Sequence, residues 1–460
     1  MAYGYWALNM HERESVFHLI FRNQPFQSNY SVACGLGTVI DFIQQWHIPA
    51  EDLQYLQGLS APDGSPLFSI AFLDYLAALR LTIDLDAILE GTVVFPQEPL
   101  VQVRGPLLQC QLLESTLLNS INFQTLIATK AARVCQAAGG DAVIEFGLRR
   151  AQGPDGALSA SRAAFIGGCT ATSNVLAGKN YGIPVSGTHA HSWVTAFSDE
   201  LAAFSAYADV MPHQCVLLVD TYDTLQGVKN AITVGQQLKK KGGVLRAIRL
   251  DSGDMAALSI AARDLLDAAG FYETQIIASN SLDETIIQQL KEKGAKISIW
   301  GVGTQLVTAY DHPALDGVYK LSALRDEENN WVYKLKLSEE QVKISNPGIH
   351  QVRRYWRNKQ PVMDVMYDLE MDIVSKPDVV SVDQPHLEMQ LPVFDEFTDL
   401  LQPIFRQGQL VHPVESMQAM QERAKRQVHP FINQPESAGY PVGLESHLYQ
   451  LKKELMANVG

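Results

Sequence analysis

The sequence has few cysteines, and their spacing argues against two common kinds of stabilised domain. Its five cysteines are odd in number and scattered, and no two of them form a Cys-x-x-Cys pair. A disulfide framework and a cysteine-based zinc site are therefore not expected. A reducing cytoplasm is the predicted location.

Long apolar runs are also missing. Nowhere does the chain contain the roughly 18 uninterrupted apolar residues that a membrane-spanning helix requires. Residues 1–15, MAYGYWALNMHERES, do not place an apolar segment after a basic one. We therefore expect neither a secretory signal nor a membrane partner.

Positive charge is scarce. The chain has 36 Lys and Arg against 50 Asp and Glu, which gives a net charge of −14. An acidic surface of this kind is not expected to bind nucleic acid or an anionic membrane. A small basic site for an anionic substrate stays compatible with this charge, because a local field need not follow the total.

Short apolar runs alternate with helical segments from about residue 140 onward. The runs are 143–146, 183–186, 215–219, 245–250, 275–278, 296–299 and 317–321. This alternation is typical of a parallel sheet with crossover helices. Because no Gly-x-Gly-x-x-Gly sequence follows the first run, we favour a closed, irregular (β/α) barrel over an open doubly wound sheet.

The pattern divides the chain into three regions. Residues 1–105 mix short helices and strands and predict an α+β lobe, and residues 106–344 contain the barrel. Residues 345–460 return to a mixed, proline-rich pattern, and we expect them to pack back on the first region. The predicted fold class is α/β, an irregular barrel with a second lobe built from both chain ends.

Polar residues follow the predicted strands where each strand ends. The run 183–186 is followed by Thr188, His189, His191 and Ser192. The segments after other runs are EFGLRR (145–150), DTYD (220–223), RLDSGD (249–254), SNS (279–281) and GVGT (301–304). The loops after the strands of an α/β barrel form its active site, so we expect these residues to meet at one rim.

Several of these strand ends carry groups suited to an anionic substrate. Arg149 and Arg249 supply forked donors for a carboxylate or phosphate. Asp251 could bind ribose hydroxyls or a magnesium-bound pyrophosphate, and the turn 301–304 could direct backbone N–H groups at a phosphate. Simpler interpretations are open too: surface ion pairs for the arginines, helix capping for Asp254, and a tight turn at 301–304.

His191 is the predicted reactive group. An imidazole can attack a phosphoryl group or act as acid or base, because its ordinary pKa lies near neutrality. It needs a partner that fixes its tautomer, and Asp220 at the next strand end is the expected one. His189 is two residues away, so we expect it to point elsewhere and to have a supporting or structural role.

Seven segments, in order, resemble the nicotinate phosphoribosyltransferase family. They are GLRRAQGPDG (147–156), TSNVLAG (172–178), GTHAHSW (187–193), DTYDT (220–224), RLDSGD (249–254), SNSLDE (279–284) and GVGTQLVT (301–308). The resemblance extends from AYGYW (2–6) through PVMDVMYDL (361–369), and so covers nearly the whole chain.

The resemblance implies an enzyme of NAD salvage. Such an enzyme joins nicotinate to the ribose of phosphoribosyl pyrophosphate, forming nicotinate mononucleotide and pyrophosphate, and couples this to ATP hydrolysis. The coupling implies Mg²⁺ and a phosphohistidine, here at His191. The family also implies an irregular α/β barrel beside an α/β sandwich lobe, and a homodimer with shared active sites.

The resemblance assigns roles to individual residues of this chain. It implies that Asp220 orients His191. Arg149 and Arg249 would line the pocket for nicotinate and the 5′-phosphate, and Asp251 would contact the ribose. The remaining substrate-binding residues are Phe146, which would lie under the pyridine ring, Thr188 and Ser192, and the phosphate-binding residues are Asn280, Gly301, Gly303 and Thr304.

Two other functions are considered, a nicotinamide-specific transferase and a catalytically silent family member that acts as a binding protein. Nicotinamide-using relatives carry an aspartate near the segment 168–173, which reads GCTATS here and so favours the acid substrate. Intact His191, Asp220 and Arg249 argue against a silent protein. Family chains usually carry a ring-stacking tyrosine ahead of the Met-Ala-Tyr start, so the start is placed late or trimmed, or Tyr3 or Tyr5 takes that role.

Overall fold

The structure, a computed structural model, describes residues 1–371, 376–382, 384, 387–432, 434 and 439–459. Its helices in chain order are α1 (Ala2–Ala7), α2 (Leu36–Gln44), α3 (Ala50–Gln57), α4 (Ile70–Ala78), α5 (Leu107–Leu112), α6 (Glu114–Ala138), α7 (Gly153–Ile166), α8 (Val175–Tyr181), α9 (His191–Thr195), α10 (Glu200–Val210), α11 (Thr224–Lys240), α12 (Met255–Ala268), α13 (Glu284–Glu292), α14 (Thr304–Val307), α15 (Met417–Val428) and α16 (Ser446–Val459).

Strands make up the three larger sheets and one small ribbon. In chain order they are β1 (Glu14–Ile20), β2 (Ser31–Val32), β3 (Asp84–Ile88), β4 (Val93–Val94), β5 (Pro99–Pro106), β6 (Ala142–Glu145), β7 (Ala171–Thr172), β8 (Cys215–Leu218), β9 (Leu245–Leu250), β10 (Gln275–Ala278), β11 (Ile299–Val302), β12 (Val318–Arg325), β13 (Trp331–Tyr333), β14 (His350–Arg357), β15 (Gln360–Asp368), β16 (Val379–Ser381), β17 (Glu388–Met389), β18 (Glu396–Asp399), β19 (Leu401–Arg406), β20 (Gln409–Leu410) and β21 (Val442–Glu445).

The chain forms two units. Unit 1 comprises Met1–Leu126, Ala314–Ser416 and Arg426–Gly460, and unit 2 comprises Ile127–Pro313 and Met417–Lys425. These bounds differ from the predicted ones at 105/106 and 344/345. The first boundary between the units lies between Leu126 and Ile127, within the long helix α6. Residues 314–344 belong to unit 1.

Unit 2 is built on a parallel sheet, as predicted. Its strand order is β7-β6-β11-β10-β9-β8, and each neighbouring pair is parallel. The predicted strands at 245–250 and 275–278 match β9 and β10 in both bounds. The α/β fold class is therefore confirmed.

The predicted irregular barrel is confirmed as a curled half-barrel, and it is not closed. β7 and β8 lie at its two edges, and no pairing joins them in the described part of the chain, so the sheet is an open half-barrel. The predicted strand 183–186 contributes only the isolated bridge between Thr172 and Val185. Pro184 has no N–H to donate, which disfavours a paired strand at that position.

The predicted seventh barrel strand, 317–321, is wrong. It lies in β12, which pairs antiparallel with β1 in unit 1. The helix before it, α14, has only four residues, too few to cover a sheet face as a crossover helix does. An apolar run identifies a strand but not the sheet to which that strand belongs.

Three crossover helices of unit 2 begin at aspartates that follow strand ends. Asp223 accepts from the N–H of Gln226, and Asp254 accepts from the N–H groups of Ala256 and Ala257. Asp283 caps α13 in the same way. Each cap satisfies N–H groups that a helix leaves free, and so fixes where the polar loop ends. The capping interpretation of Asp254 is therefore confirmed.

Unit 1 combines residues from both ends of the chain. Its seven-stranded sheet has the order β13-β12-β1-β5-β3-β19-β20, so β19 near residue 400 pairs with β3 near residue 85. A second, six-stranded sheet has the order β17-β16-β21-β15-β14-β18. Tyr3 in α1 packs on Trp6 and Phe72 of an aromatic cluster in this unit.

Two buried histidines in unit 1 contact each other and share a glutamine. The rings of His18 and His350 stack with centroids 4.1 Å apart. The Nε2 atom of His18 lies 2.7 Å from Oε1 of Gln102, and the same oxygen accepts from the backbone N–H of His350. Burial lowers the pKa of His350 to about 4, so this histidine is neutral in the folded protein.

All five cysteines are free thiols. Among the described residues, no helix combines the length and the apolar content needed to cross a bilayer.

Candidate active site

The carboxyl ends of the parallel strands in unit 2 surround a cavity of about 270 Å³. Its wall is formed by Phe146, Leu148, Arg149, Ser173, Gly187, Thr188, His189, Ala190, His191, Leu218, Arg249 and Asp251. Small-molecule sites usually measure about 300–1,000 Å³, so this one is suited to a small ligand.

Arg249 is anchored at three points. From β9, its Nε donates to Oγ of Ser279 at 2.7 Å, and its Nη1 donates to Oγ1 of Thr188 at 2.9 Å. Its Nη2 donates to Oδ1 of Asp251 at 2.8 Å. The guanidinium is therefore fixed before any ligand binds, and such preorganisation reduces the cost of binding an anion.

Asp251 stays ionised beside this guanidinium. Burial acts to raise the pKa of Asp251, but the hydroxyl of Ser279 and the charge of Arg249 outweigh burial and hold that pKa below its ordinary value. Ser279 donates to Oδ1 of Asp251. The cavity therefore presents a carboxylate and a guanidinium as neighbours, one suited to ribose hydroxyls and the other to anions.

Phe146 supplies an aromatic wall. It follows β6, and its N–H donates to the carbonyl of Val302 at 2.8 Å. The guanidinium carbon of Arg249 lies 5.6 Å from the centre of its ring. Gly301 leaves room for this ring, because a Cβ on residue 301 would lie 2.6 Å from a ring carbon. The ring is therefore fixed by a glycine of the neighbouring strand.

His191 begins α9 and faces the cavity with 43% of its side chain exposed. Its Nδ1 lies 3.1 Å from Oγ1 of Thr221, and its Nε2 lies 3.8 Å from Oδ2 of Asp251. Because Nδ1 is occupied by a hydroxyl, Nε2 is the ring nitrogen that can meet a ligand.

Three family models match this chain in order. The N-terminal domain of nicotinate phosphoribosyltransferase matches residues 1–122, the nicotinate phosphoribosyltransferase family matches residues 142–337, and the C-terminal domain matches residues 349–452. A Bacillus subtilis nicotinate phosphoribosyltransferase is 40% identical over 475 residues, covering 100% of this chain and 94% of the relative. The chain belongs to the nicotinate phosphoribosyltransferase family.

Other relatives agree with this family membership. A Dictyostelium discoideum nicotinate phosphoribosyltransferase is 38% identical, covering 93% of this chain and 81% of the relative. The crystal structure of human nicotinic acid phosphoribosyltransferase matches with a TM-score of 0.85 and 30% identity, covering 99% of this chain and 98% of that one. A Pyrococcus furiosus nicotinate-nucleotide pyrophosphorylase shares the fold, with a TM-score of 0.68, 21% identity, and coverage of 93% and 92%. The predicted resemblance is confirmed.

The structure brings six of the predicted site residues of this family member to the cavity. They are Phe146, Arg149, Thr188, His191, Arg249 and Asp251. The other predicted residues, Ser192, Asp220, Asn280, Gly301, Gly303 and Thr304, are not part of the cavity wall. Ser192 and Asn280 are exposed, and Gly301 lies behind the ring of Phe146.

Asp220 is not the partner of His191 in this structure. Its Oδ2 accepts from the backbone N–H of Asp251 at 2.8 Å and from Oγ of Ser252 at 2.7 Å. The next residue, Thr221, contacts the imidazole instead. Successive side chains at a strand end point to different sides, and the sequence alone does not say which of two neighbours faces the histidine.

His189 lines the cavity, which differs from the expectation that it points elsewhere, and it also contacts β8 and α10. Its Nε2 accepts from the backbone N–H of Leu218 at 3.1 Å, and its ring packs against Tyr207 with centroids 4.8 Å apart. Burial lowers the pKa of His189, and the charges of Arg249 and His191 add to that effect. A neutral His189 therefore fixes the loop that carries His191.

Sequence reasoning gave no role to four residues that shape the site. Thr221 lies in the loop after β8 and contacts His191, and Ser279 directly follows β10 and contacts Arg249. Ser173 lines the cavity after β7, and Glu145 lies beneath it as the last residue of β6. The sequence indicates three of them, Thr221, Ser279 and Ser173, as hydroxyl residues that come after strands. It does not indicate their contacts, because those depend on how the strands pair across the sheet.

A self-contained metal site is not visible in the described residues, which contain no group of three or more His, Cys, Asp and Glu able to hold an ion. Mg²⁺ usually needs only one or two protein carboxylates, together with substrate phosphates and water. Asp251 meets the cavity, and the buried Oδ1 of Asp220 has no hydrogen-bond partner there. Asp251 is therefore the carboxylate at the cavity wall that would meet a Mg²⁺ ion arriving with a phosphorylated substrate, and Asp220 would have to reach such an ion from behind the wall.

Proposed function

We propose that this chain transfers the phosphoribosyl group of phosphoribosyl pyrophosphate to nicotinate in NAD salvage. The products are nicotinate mononucleotide and pyrophosphate. The observation that carries the proposal is Arg249, which is anchored at three points beside Phe146 in the cavity. The family membership supports the same reaction, because the relatives are named for it.

Nicotinate is an aromatic ring with one carboxylate, and the cavity offers a partner for each part. The face of Phe146 can stack on the pyridine. Arg149 is exposed at the cavity wall and forms no hydrogen bond within the described chain, so its guanidinium is available to the carboxylate. We assign Arg249 to the phosphate groups of the donor, and Thr188 to the wall beside them.

The transfer replaces one bond at the anomeric carbon with another. The lone pair of the pyridine nitrogen forms the new N–C bond, and the C–O bond to pyrophosphate breaks with its electron pair leaving on the pyrophosphate. Positive charge develops on the ribose during this exchange. The ionised Asp251 can accept hydrogen bonds from the ribose hydroxyls and stabilise that charge, while Arg249 holds the anion in place.

We further propose that ATP phosphorylates His191. Nε2 attacks the γ-phosphorus, the bond to ADP breaks, and ADP leaves with the electron pair. The contact between Nδ1 and Thr221 supports Nε2 as the attacking atom. Asp251 and Asp220 would hold Mg²⁺, which supplies charge neutralisation for the phosphates when bound.

Two assays test the proposal. Purified chain is incubated with phosphoribosyl pyrophosphate, Mg-ATP and either nicotinate or nicotinamide, and the mononucleotides are quantified. We expect the acid to be preferred, and a preference for the amide would identify the substrate as nicotinamide instead. Mass spectrometry after incubation with Mg-ATP should detect one acid-labile phosphate on His191, absent from His191→Ala.

We also propose the cytoplasmic homodimer that the family resemblance implies. Light scattering coupled to size exclusion should give about twice the chain mass of 50.8 kDa. A mass equal to one chain at assay concentration would contradict the homodimer.

A further inference from the structure

Glu145 is a carboxylate enclosed beneath the cavity. It ends β6, and only 1% of its surface is exposed. Its Oε2 accepts from Oγ of Ser161 at 2.8 Å and from Oγ1 of Thr172 at 2.6 Å, and its Oε1 accepts from the N–H of Gly147. In the described residues it has no basic partner. A buried carboxylate held only by neutral donors is costly to desolvate, so its position calls for a reason.

Two of the three donors on Glu145 come from segments that form the cavity wall, and the third, Ser161, comes from α7. Gly147 lies between Phe146 and Leu148, and Thr172 precedes Ser173. The backbone carbonyl of Glu145 also accepts from the N–H of Ser173 at 2.9 Å. One residue therefore fixes two wall segments that are distant in sequence.

The contact with Gly147 allows no alternative side chain at that position. A Cβ on residue 147 would lie 2.2 Å from Cγ1 of Val307 and 2.9 Å from Oε1 of Glu145. Only glycine, which has no Cβ, fits between Val307 and Glu145 at this position. The turn that carries Phe146 and Arg149 is thus held from below by the carboxylate.

Thr172 extends the same network. Its Oγ1 accepts from the N–H of Asn174 at 3.0 Å while donating to Glu145. The amide of Asn174 in turn donates to Oγ of Ser161 at 3.2 Å. Every side chain in this network is buried, and none of them touches the cavity.

We infer that Glu145 is a positioning residue for nicotinate binding: its carboxylate holds the Phe146–Arg149 turn and Ser173 in the geometry that receives the substrate. This inference rests on the proposed function. It places Glu145 behind the residues that meet the substrate, and it predicts an effect on KM for nicotinate. A merely structural role would instead reduce the amount of active protein and so lower kcat.

The first test compares Glu145→Ala with Glu145→Gln. The alanine variant should raise KM for nicotinate at least tenfold, because misplacement of binding groups by about 1 Å can cost about a hundredfold in rate. Glutamine keeps the shape and an oxygen acceptor for Gly147, while the hydroxyls can accept from its amide. The KM of Glu145→Gln for nicotinate should therefore lie within about threefold of the wild-type value.

The second test keeps the inference testable when Glu145→Ala does not fold. Thr172→Val removes one donor from the network, and Thr274→Val removes a hydroxyl that donates to the carbonyl of Leu245 at 2.9 Å. Both threonines are buried in unit 2, at 1% and 3% exposure, but Thr274 lies at the amino end of β10. We expect a raised KM for nicotinate in Thr172→Val and an unchanged KM in Thr274→Val.

The outcomes separate the two claims. Equal KM values in Thr172→Val, Thr274→Val and wild type, with only kcat reduced, would overturn the positioning role alone. A wild-type chain that forms no mononucleotide from nicotinate would overturn both the proposed function and this inference. A raised KM confined to Thr172→Val and Glu145→Ala supports the inference.

Discussion

Two arginine–aspartate pairs in this protein have similar bond lengths and opposite surroundings. Arg249 and Asp251 in unit 2 are 2.8 Å apart, with 15% and 24% of their side chains exposed at the cavity. Arg354 and Asp364 in unit 1 are joined by bonds of 2.5–3.1 Å, with 1% and 0% exposed. The first pair is accessible to a ligand, and the second is not.

The enclosed pair is completed by protein groups on every side. Arg354 and Asp364 are cross-strand partners of β14 and β15. Nη1 of Arg354 donates to Gln427 at 3.2 Å, and the hydroxyl of Tyr440 donates to Asp364 at 2.9 Å. The comparison teaches that an ion pair stabilises a fold when it is closed off, and can serve binding when one side faces a cavity.

The largest expected effect comes from breaking the enclosed pair. Asp364→Asn removes the carboxylate that is hydrogen-bonded to the buried Arg354 guanidinium, which should lower the free energy of unfolding by about 3–5 kcal/mol. Urea denaturation measures this. Arg353 and Asp399 form a matched pair with 12% and 34% exposure, so Asp399→Asn should cost less than about 1 kcal/mol. Equal losses would refute the distinction.

Acid should weaken unit 1 through its enclosed histidines. The folded pKa of His350 is about 4 against an ordinary 6.5, so between these values the unfolded chain binds a proton that the folded chain does not. The contribution of neutral His350 to the free energy of unfolding is therefore fully present above about pH 6.5. It is lost as the pH drops toward 4, by on the order of 3 kcal/mol. Denaturation at a series of pH values checks this, and His350→Gln should flatten the curve. A curve equally steep in that variant would contradict the assignment.

Arg249→Lys should affect activity far more than stability. One ammonium cannot bond Ser279, Thr188 and Asp251 at once in the geometry of a planar fork. We expect kcat/KM for mononucleotide formation to fall about a hundredfold, or about 2.7 kcal/mol, with unfolding curves within about 1 kcal/mol of wild type. Arg246→Lys is the control, because Arg246 lies in the same strand but is exposed outside the cavity. An equal loss in both variants would remove Arg249 from the site.

The smallest expected effect concerns the imidazole. Thr221→Val removes the hydroxyl that contacts Nδ1 of His191, and we expect the rate of ATP-dependent phosphorylation to fall about tenfold, or about 1.4 kcal/mol. Thr221→Ser keeps the hydroxyl and should restore the rate. If Thr221→Val leaves the rate unchanged while Asp220→Asn reduces it, the original expectation for Asp220 holds in solution.

Local sequence patterns predicted much of unit 2, and together with the family resemblance they named six residues that line the cavity. Apolar runs located β9 and β10, and the carboxyl end of β9 carries Arg249 and Asp251, because parallel strands end at the same edge of a sheet. The features that the sequence did not predict depend on residues that are distant in sequence. The pairing of β12 with β1, the open edge at β7, and the choice between Asp220 and Thr221 are set by register and topology, which local composition does not encode.

The enclosed pair of unit 1 shows the same limit. Arg354 and Asp364 are ten residues apart on adjacent strands, and nothing in either strand alone indicates that both charges are buried together. Sequence reasoning therefore identifies chemistry that lies at strand ends more readily than polar groups that pair inside a sheet.

The central claim is that the cavity pair, Arg249 with Asp251, is where the pyridine nucleotide binds. Calorimetric titration of nicotinate mononucleotide into wild type, Arg249→Lys and Arg246→Lys tests it most directly. We predict saturable binding to wild type and Arg246→Lys with similar Kd values, and binding at least tenfold weaker to Arg249→Lys. Equal affinity in all three proteins, or no binding to the wild type, would contradict the claim.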